Sequence, residues 1–272
     1  MAILEYRFTN DTLFKMLFVR HPELLKRLIS EMLSIQFESI GEFVITNPEI
    51  QPEAIGEKFC RLDINMTLDG QRVDLEVQVA NRGGYPERSL YYWAREYSSA
   101  LSEGEEYIEL PRTIVISIVA FEQFDCQDFH SEFQALEVKR HTPLTDRMSL
   151  HFFELPKVSE IVDTNEKLKL WLTLFNAKTE EDLTKIEAME VPEMKQAIGA
   201  YRAVTAMDEF KELERLRSRA RHDEASALGN ARREAIRETD EKWQGVIAEK
   251  DIALANKDAE IAALKVQLAN KK

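Results

Sequence analysis

Residues 60–80 read CRLDINMTLDGQRVDLEVQVA. Two alternating runs flank Asp69-Gly70, the strongest short-range signal for a two-residue hairpin turn. With that turn Leu68 faces Gln71. Counting outward sets Asn65 opposite Asp74, Asp63 opposite Glu76 and Arg61 opposite Gln78. Directly opposed residues share a face, with Cβ atoms about 5 Å apart. One face then carries Asp63, Asn65, Asp74, Glu76 and Gln78. The other carries Leu62, Ile64, Met66, Val73, Leu75, Val77 and Val79, an apolar set suited to a core.

Like charges opposed across a sheet repel, so Asp63 against Glu76, with Asp74 beside them, requires a compensating cation. Hard carboxylate oxygens suit Mg2+ or Mn2+. Such an ion lowers the pKa of a bound water and stabilises charge on a phosphate in transfer. Gln78, two residues on, can orient that water but cannot act as a base. The competing reading is an edge hairpin whose acidic face is simply wet and discourages aggregation.

The elements around the hairpin are legible from periodicity. Leu13, Leu17, Leu24, Leu25, Leu28, Met32 and Leu33 recur near helical spacing over residues 9–34. Thr9, Asn10 or Asp11 can cap the start, and Pro22 divides the run into two helices. Residues 35–57 are irregular, and Asn81 to Pro86 form a loop. ERSLYYWAREYSSALS, 87–102, reads as a helix that ends before Gly104. TIVISIVAF, 113–121, reads as a strand buried on both faces, and 131–140 and 149–155 as two more strands. The order predicts an α/β fold, a mixed sheet layered with helices. After Pro156 the chain turns helical, over 165–177, 179–189 and 192–207. From Asp208 there is no proline. Ile247, Leu254, Ile261 and Leu268 fall seven apart with Leu264 beside them, while Lys250 and Lys257 weaken the second row. That stripe is either a coiled coil that pairs chains or a lone amphipathic helix.

Composition bounds the function. The 272 residues carry a net charge of −13. From Asp208 onward acidic and basic residues balance at 14 each, so residues 1–207 hold the whole excess, with 35 acidic and 22 basic residues. Such a surface excludes a general nucleic-acid coat protein, because the phosphate backbone favours basic surfaces. It still permits action on nucleic acid where cations neutralise a local acidic cluster. No apolar run is long enough to span a membrane. The first residues lack a basic n-region and an unbroken apolar stretch, so no signal peptide is expected. Cys60 and Cys126 make neither a metal pattern nor a disulfide framework, and are expected to be small buried side chains. A cytoplasmic location fits. The five histidines show no zinc spacing. No P-loop, GxSxG or HExxH occurs, which argues against an NTPase, a serine hydrolase or a zinc protease.

Asp63, the hairpin and Glu76-Val77-Gln78 together resemble the PD-(D/E)XK nuclease superfamily. More narrowly, the chain resembles its Rpn-type family of recombination-promoting nucleases and transposases. The matching pieces are TNDTLFKMLF, RVDLEVQ, RSLYYWAREYSSAL followed by Gly104 and Tyr107, TIVISIVAF, and the helical part from KLWLTLFNA through SALGNARREAIRE, to about residue 238. The resemblance implies a restriction-endonuclease-like mixed central sheet flanked by helices over 1–156. A helical subdomain over 157–207 and a long C-terminal coiled-coil helix over 208–272 follow. It implies metal-dependent cleavage of DNA, with Asp63 and Glu76 as Mg2+ ligands and Gln78, in the usual place of a lysine, positioning the water. Asp11 is an accessory candidate, though helix capping explains it equally well. Asp74 shares the face and supports the ligands, and Lys15 stands near Asp11.

Arg82, Arg88 and Arg95 are candidate DNA contacts, with arginines placed for phosphates. Packing of Leu90, Trp93, Ala94 and Tyr97 on one helix face is the competing account of that segment. Two function classes follow. One is a Mg2+-dependent DNA endonuclease linked to recombination or mobile elements, forming a homo-oligomer through its last helix. The other is an inactive nuclease-like scaffold acting through coiled-coil partners.

Overall fold

The computed structural model describes residues 2–47, 64–81, 83–101, 104–159 and 166–269. Arg61, Leu62, Asp63, Cys60 and Arg82, all named above, lie outside the described residues. The first helical run divides at Pro22 as expected, into α1 (Asp11–Arg20) and α2 (Pro22–Met32), and Asn10 caps α1 by accepting from the Leu13 amide at 2.9 Å. Among the described residues six strands follow: β1 (Phe43–Ile45), β2 (Ile64–Leu68), β3 (Gln71–Gln78), β4 (Thr113–Val119), β5 (His130–Phe133) and β6 (Met148–Glu154). Helix α3 (Tyr85–Ser98) connects β3 to β4. Helices α4 (Lys167–Asn176), α5 (Glu180–Glu187), α6 (Pro192–Ala206) and α7 (Asp208–Ala269) complete the chain. It is an α/β fold with a mixed sheet, as the sequence predicted.

The sheet order is β1-β2-β3-β4-β6-β5, parallel between β3, β4 and β6 and antiparallel elsewhere. Asp69 (φ 47°) and Gly70 (φ 76°) both take positive φ, the backbone of a tight hairpin turn that suits the twist of paired strands. The predicted register holds across the described pairs, with Asn65 opposite Asp74 and Leu68 opposite Gln71. The hairpin is not an edge. β1, hidden in a stretch that reads as irregular, covers β2 on the outside, and β3 sits inside the sheet against β4. Three residues are too few to show alternation, which is why β1 escapes a periodicity reading. The strand expected over 131–140 is confined to β5. The chain beyond it turns, with Leu136 bridging Pro143.

Both faces of the sheet are covered, which explains why all seven residues of β4 are buried. On one face Ile64, Met66, Val73, Leu75, Ile114, Ile116 and Phe153 join a core with α1, α2, α4, α5 and α6. Trp171, Phe14, Phe18 and Phe175 fill its middle with rings 4.9–6.3 Å apart, each contributing about 2–3 kcal/mol by burial. Segment 157–207 therefore shares one hydrophobic core with the sheet. Two compact units result, Met1–Glu214 and Arg215–Lys272. Inside the first, Thr12 donates to Glu214 at 2.9 Å and Tyr6 meets Phe210 edge-on at 4.8 Å. In the second, Trp243, Ile247, Leu254, Ile261 and Leu264 are exposed along α7. Cys126 is exposed too, in the loop region after β4, and not a buried apolar side chain as expected.

A polar cluster spans β5 and β6. The Ser149 hydroxyl donates to Glu132 Oε1 at 2.9 Å and lies 2.8 Å from His151 Nε2. His151 Nδ1 lies 3.1 Å from His130 Nε2. The His130 ring stacks on Phe153 at 4.3 Å.

Candidate active site on strands β2 and β3 and helix α3

β3 carries Arg72, Asp74, Glu76 and Gln78 on the face opposite the main core. Register places Asp74 beside Val115, Glu76 beside Ser117, and Gln78 beside Val119 of β4. Asp74 is 5% exposed and Glu76 4% exposed. The acidic row is thus not a wet face, because α3 lies over it. Tyr85 packs with Val115, Val119, Leu150 and Phe152 in a second, smaller core, with Trp93 beside it.

The route from β3 to α3 sets the geometry. Gly83 (φ 77°) and Gly84 (φ 64°) take the left-handed conformation that other residues reach only at a cost. Gly84 occupies the N-cap and Pro86 sits in the first turn, where its missing N–H costs nothing. The helix accordingly begins at Tyr85, two residues earlier than its sequence pattern suggests, and ends at Ser98. Its far end is tied down by Arg72, which donates to the Glu96 carbonyl at 3.0 Å and to Ser99 Oγ at 2.8 Å. Trp93 Nε1 donates to the Thr113 carbonyl at 3.0 Å.

This anchoring delivers two side chains onto the motif. The Tyr85 hydroxyl donates to Glu76 Oε2 at 3.0 Å. Burial, and then the Glu76 carboxylate, push the Tyr85 phenol well above its ordinary value, so it stays a donor. One turn on, Arg88 Nη2 donates to Gln78 Oε1 at 2.5 Å, and its guanidinium lies 4.7 Å from the Tyr85 ring centre. Gln78 Nε2 donates to the Ala80 carbonyl at 2.9 Å. The side-chain oxygen therefore faces α3 and the nitrogen faces its own strand end.

Glu76, Gln78 and Arg88 are thus brought together, with Tyr85 as a fourth member the sequence reading missed. Its signal was the Gly83-Gly84 turn, which ends immediately before Tyr85. Asp74 borders a cavity of about 210 Å³ with Asn65, Arg72 and Glu96. Arg95 is exposed two turns beyond Arg88 on the same helix face. Asp11 opens α1 next to its cap, and Lys15 is buried on that helix.

Burying two carboxylates on one strand costs free energy unless hydrogen bonds or positive charge match them. Their hard oxygens suit a Mg2+-class cation. Among the described residues no group of three His, Cys, Asp or Glu side chains is gathered to hold a metal. Asp63, the other expected ligand, lies outside those residues. No helix among them is long and apolar enough to cross a membrane.

A family model described as a PD-(D/E)XK nuclease family transposase matches residues 8–231. No match was found among curated proteins or among solved structures.

Proposed function

Because this chain belongs to the PD-(D/E)XK nuclease family transposases, we propose that it is a metal-dependent DNA endonuclease serving recombination or mobile elements. The observation that supports this most is the buried Glu76 carboxylate, hydrogen-bonded by Tyr85, with the Gln78–Arg88 pair two residues on. In this reading Asp63 and Glu76 hold Mg2+ or Mn2+, Asp74 supports them, and Gln78 orients the attacking water. A bound ion of this kind supplies positive charge to the phosphodiester and activates water for attack. Tyr85 keeps the Glu76 carboxylate fixed in one orientation, which a ligand set requires. Asp11 and Lys15 are accessory residues, and Arg82 and Arg95 contact DNA phosphates. Residues 1–156 form the nuclease-like part, 157–207 the helical part built onto it, and 208–272 a helix that pairs copies of the chain. The setting is cytoplasmic.

Plasmid cleavage in Mg2+ or Mn2+ tests the assignment. Wild type is expected to nick or linearise DNA, and Asp63→Ala and Glu76→Ala to lose at least about a hundredfold in rate. Cleavage that survives both substitutions removes the site. The acidic surface of residues 1–207 favours a second reading, a nuclease-like scaffold that works by binding protein partners. Wild type that neither cleaves DNA nor binds either metal in a calorimetric titration selects that reading.

A further inference from the structure

A phosphodiester under attack gains negative charge, and Asp74 and Glu76 add two carboxylates to the same strand face. Gln78 is neutral and brings no countercharge. The guanidinium of Arg88 does stand there, 2.5 Å from the amide oxygen of Gln78. It arrives from a different element, ten residues further along the chain, by way of the Gly83-Gly84 turn. The aromatic faces of Tyr85 at 4.7 Å and Tyr92 at 6.0 Å hold it in place. Its Nε is buried with no hydrogen-bond partner among the described residues, so the side chain spends its charge on Gln78 and on the rings.

The consequence lies at the other end of the amide. A primary amide has two N–H donors. One of those on Gln78 donates to the Ala80 carbonyl, and the other has no partner among the described residues. A cation that donates to the amide oxygen draws electron density from the nitrogen and strengthens the remaining N–H as a donor. We propose that Arg88 is a positioning residue for cleavage. Paired with Gln78 it makes a composite group, an N–H donor backed by a fixed positive charge, that holds the attacking water beside the phosphate and offsets the charge developing there, as a single ammonium side chain would. This rests on the endonuclease reading. It assigns Arg88 to the chemical step through Gln78, rather than to general contact with the DNA backbone.

Substitution in both partners tests it. Arg88→Met keeps the stem that packs on Tyr85 and removes the charge; thermal unfolding checks that it stays folded. Its kcat for cleavage is expected to fall at least about tenfold, the worth of a charge-assisted hydrogen bond, with KM for DNA nearly unchanged. Gln78→Lys in the Arg88→Met background places an ammonium directly on β3 and is expected to restore most of the rate. The restored enzyme should lose rate as its lysine deprotonates, around pH 10, whereas wild type keeps its charge there because arginine does not titrate. An Arg88→Met protein with wild-type kcat overturns the proposal. So does a folded double variant no faster than Arg88→Met alone. If wild type cleaves nothing, the endonuclease reading has failed and this proposal falls with it, whereas a cleaving wild type matched by Arg88→Met overturns the proposal alone.

Discussion

Glu76 and Tyr85 share one hydrogen bond whose removal can be read in both stability and metal binding. The phenol is buried, so removing its hydroxyl leaves the Glu76 carboxylate short of a donor in a dry place. Tyr85→Phe is expected to lower unfolding stability by about 1–2 kcal/mol, measured by urea denaturation. The same change should weaken Mn2+ binding, because the carboxylate is no longer held in one orientation. Unchanged metal affinity would mean that Tyr85 serves packing only. The strand residues of this site were legible because a period of two and an Asp-Gly turn fix face and register together. Tyr85 was not legible as a site residue, and Arg88, read as a DNA contact, was not legible as the partner of Gln78. Their position follows from two positive-φ glycines, which a pattern of apolar spacing does not encode. Cys126 escaped for the opposite reason: side-chain type suggests burial on average, while a loop decides it in the particular case.

The β5–β6 pair makes a prediction of its own. Ser149 donates to Glu132 and so can only accept from His151 Nε2–H. That leaves His151 Nδ1 bare, to accept from His130 Nε2–H. The chain of bonds works with both imidazoles neutral. Burial pushes His151 down to about 4, with His130 and Arg112 adding to the effect and Glu132 opposing it. A histidine whose folded value lies below its unfolded one contributes stability that is complete above about pH 6.5 and fades as pH falls toward 4. Thermal melts should show the protein losing stability between pH 7 and pH 5, and His151→Gln should flatten that part of the profile. An equally steep profile in the variant would place the acid sensitivity elsewhere. The burial of β4 was readable from the unbroken apolar run, but the place of β3 inside the sheet was not. The edge roles of β1 and β5 were not, since strands of three and four residues give no period to read.

Charge is unevenly distributed over the chain. Residues 1–207 hold all of the net −13, yet residues 215–237 carry seven arginines against three acidic residues. The balance over the whole of α7 conceals this, because acidic residues cluster at its start and beyond residue 237. The start of the helix at Asp208 was legible, from the absence of proline and the steady run of helix formers. What covers its apolar stripe is the part a single chain leaves open. If the stripe pairs copies, truncation after about residue 240 should lower the mass measured by light scattering, and an unchanged mass would reject that role.

The three tryptophans give these scales separate optical reporters. Trp171 is 2% exposed in the main core, and Trp93 lies partly buried on α3 against β4 and β6. Trp243 is 60% exposed and falls in the same heptad row as Lys250, Lys257 and Leu264. A protein in which only Trp243 is retained should emit like an indole in water when dilute. Its spectrum should shift to the blue as concentration rises and copies associate. Retaining only Trp93 would let the same instrument follow α3 as metal or DNA is added, without disturbing any residue of the site.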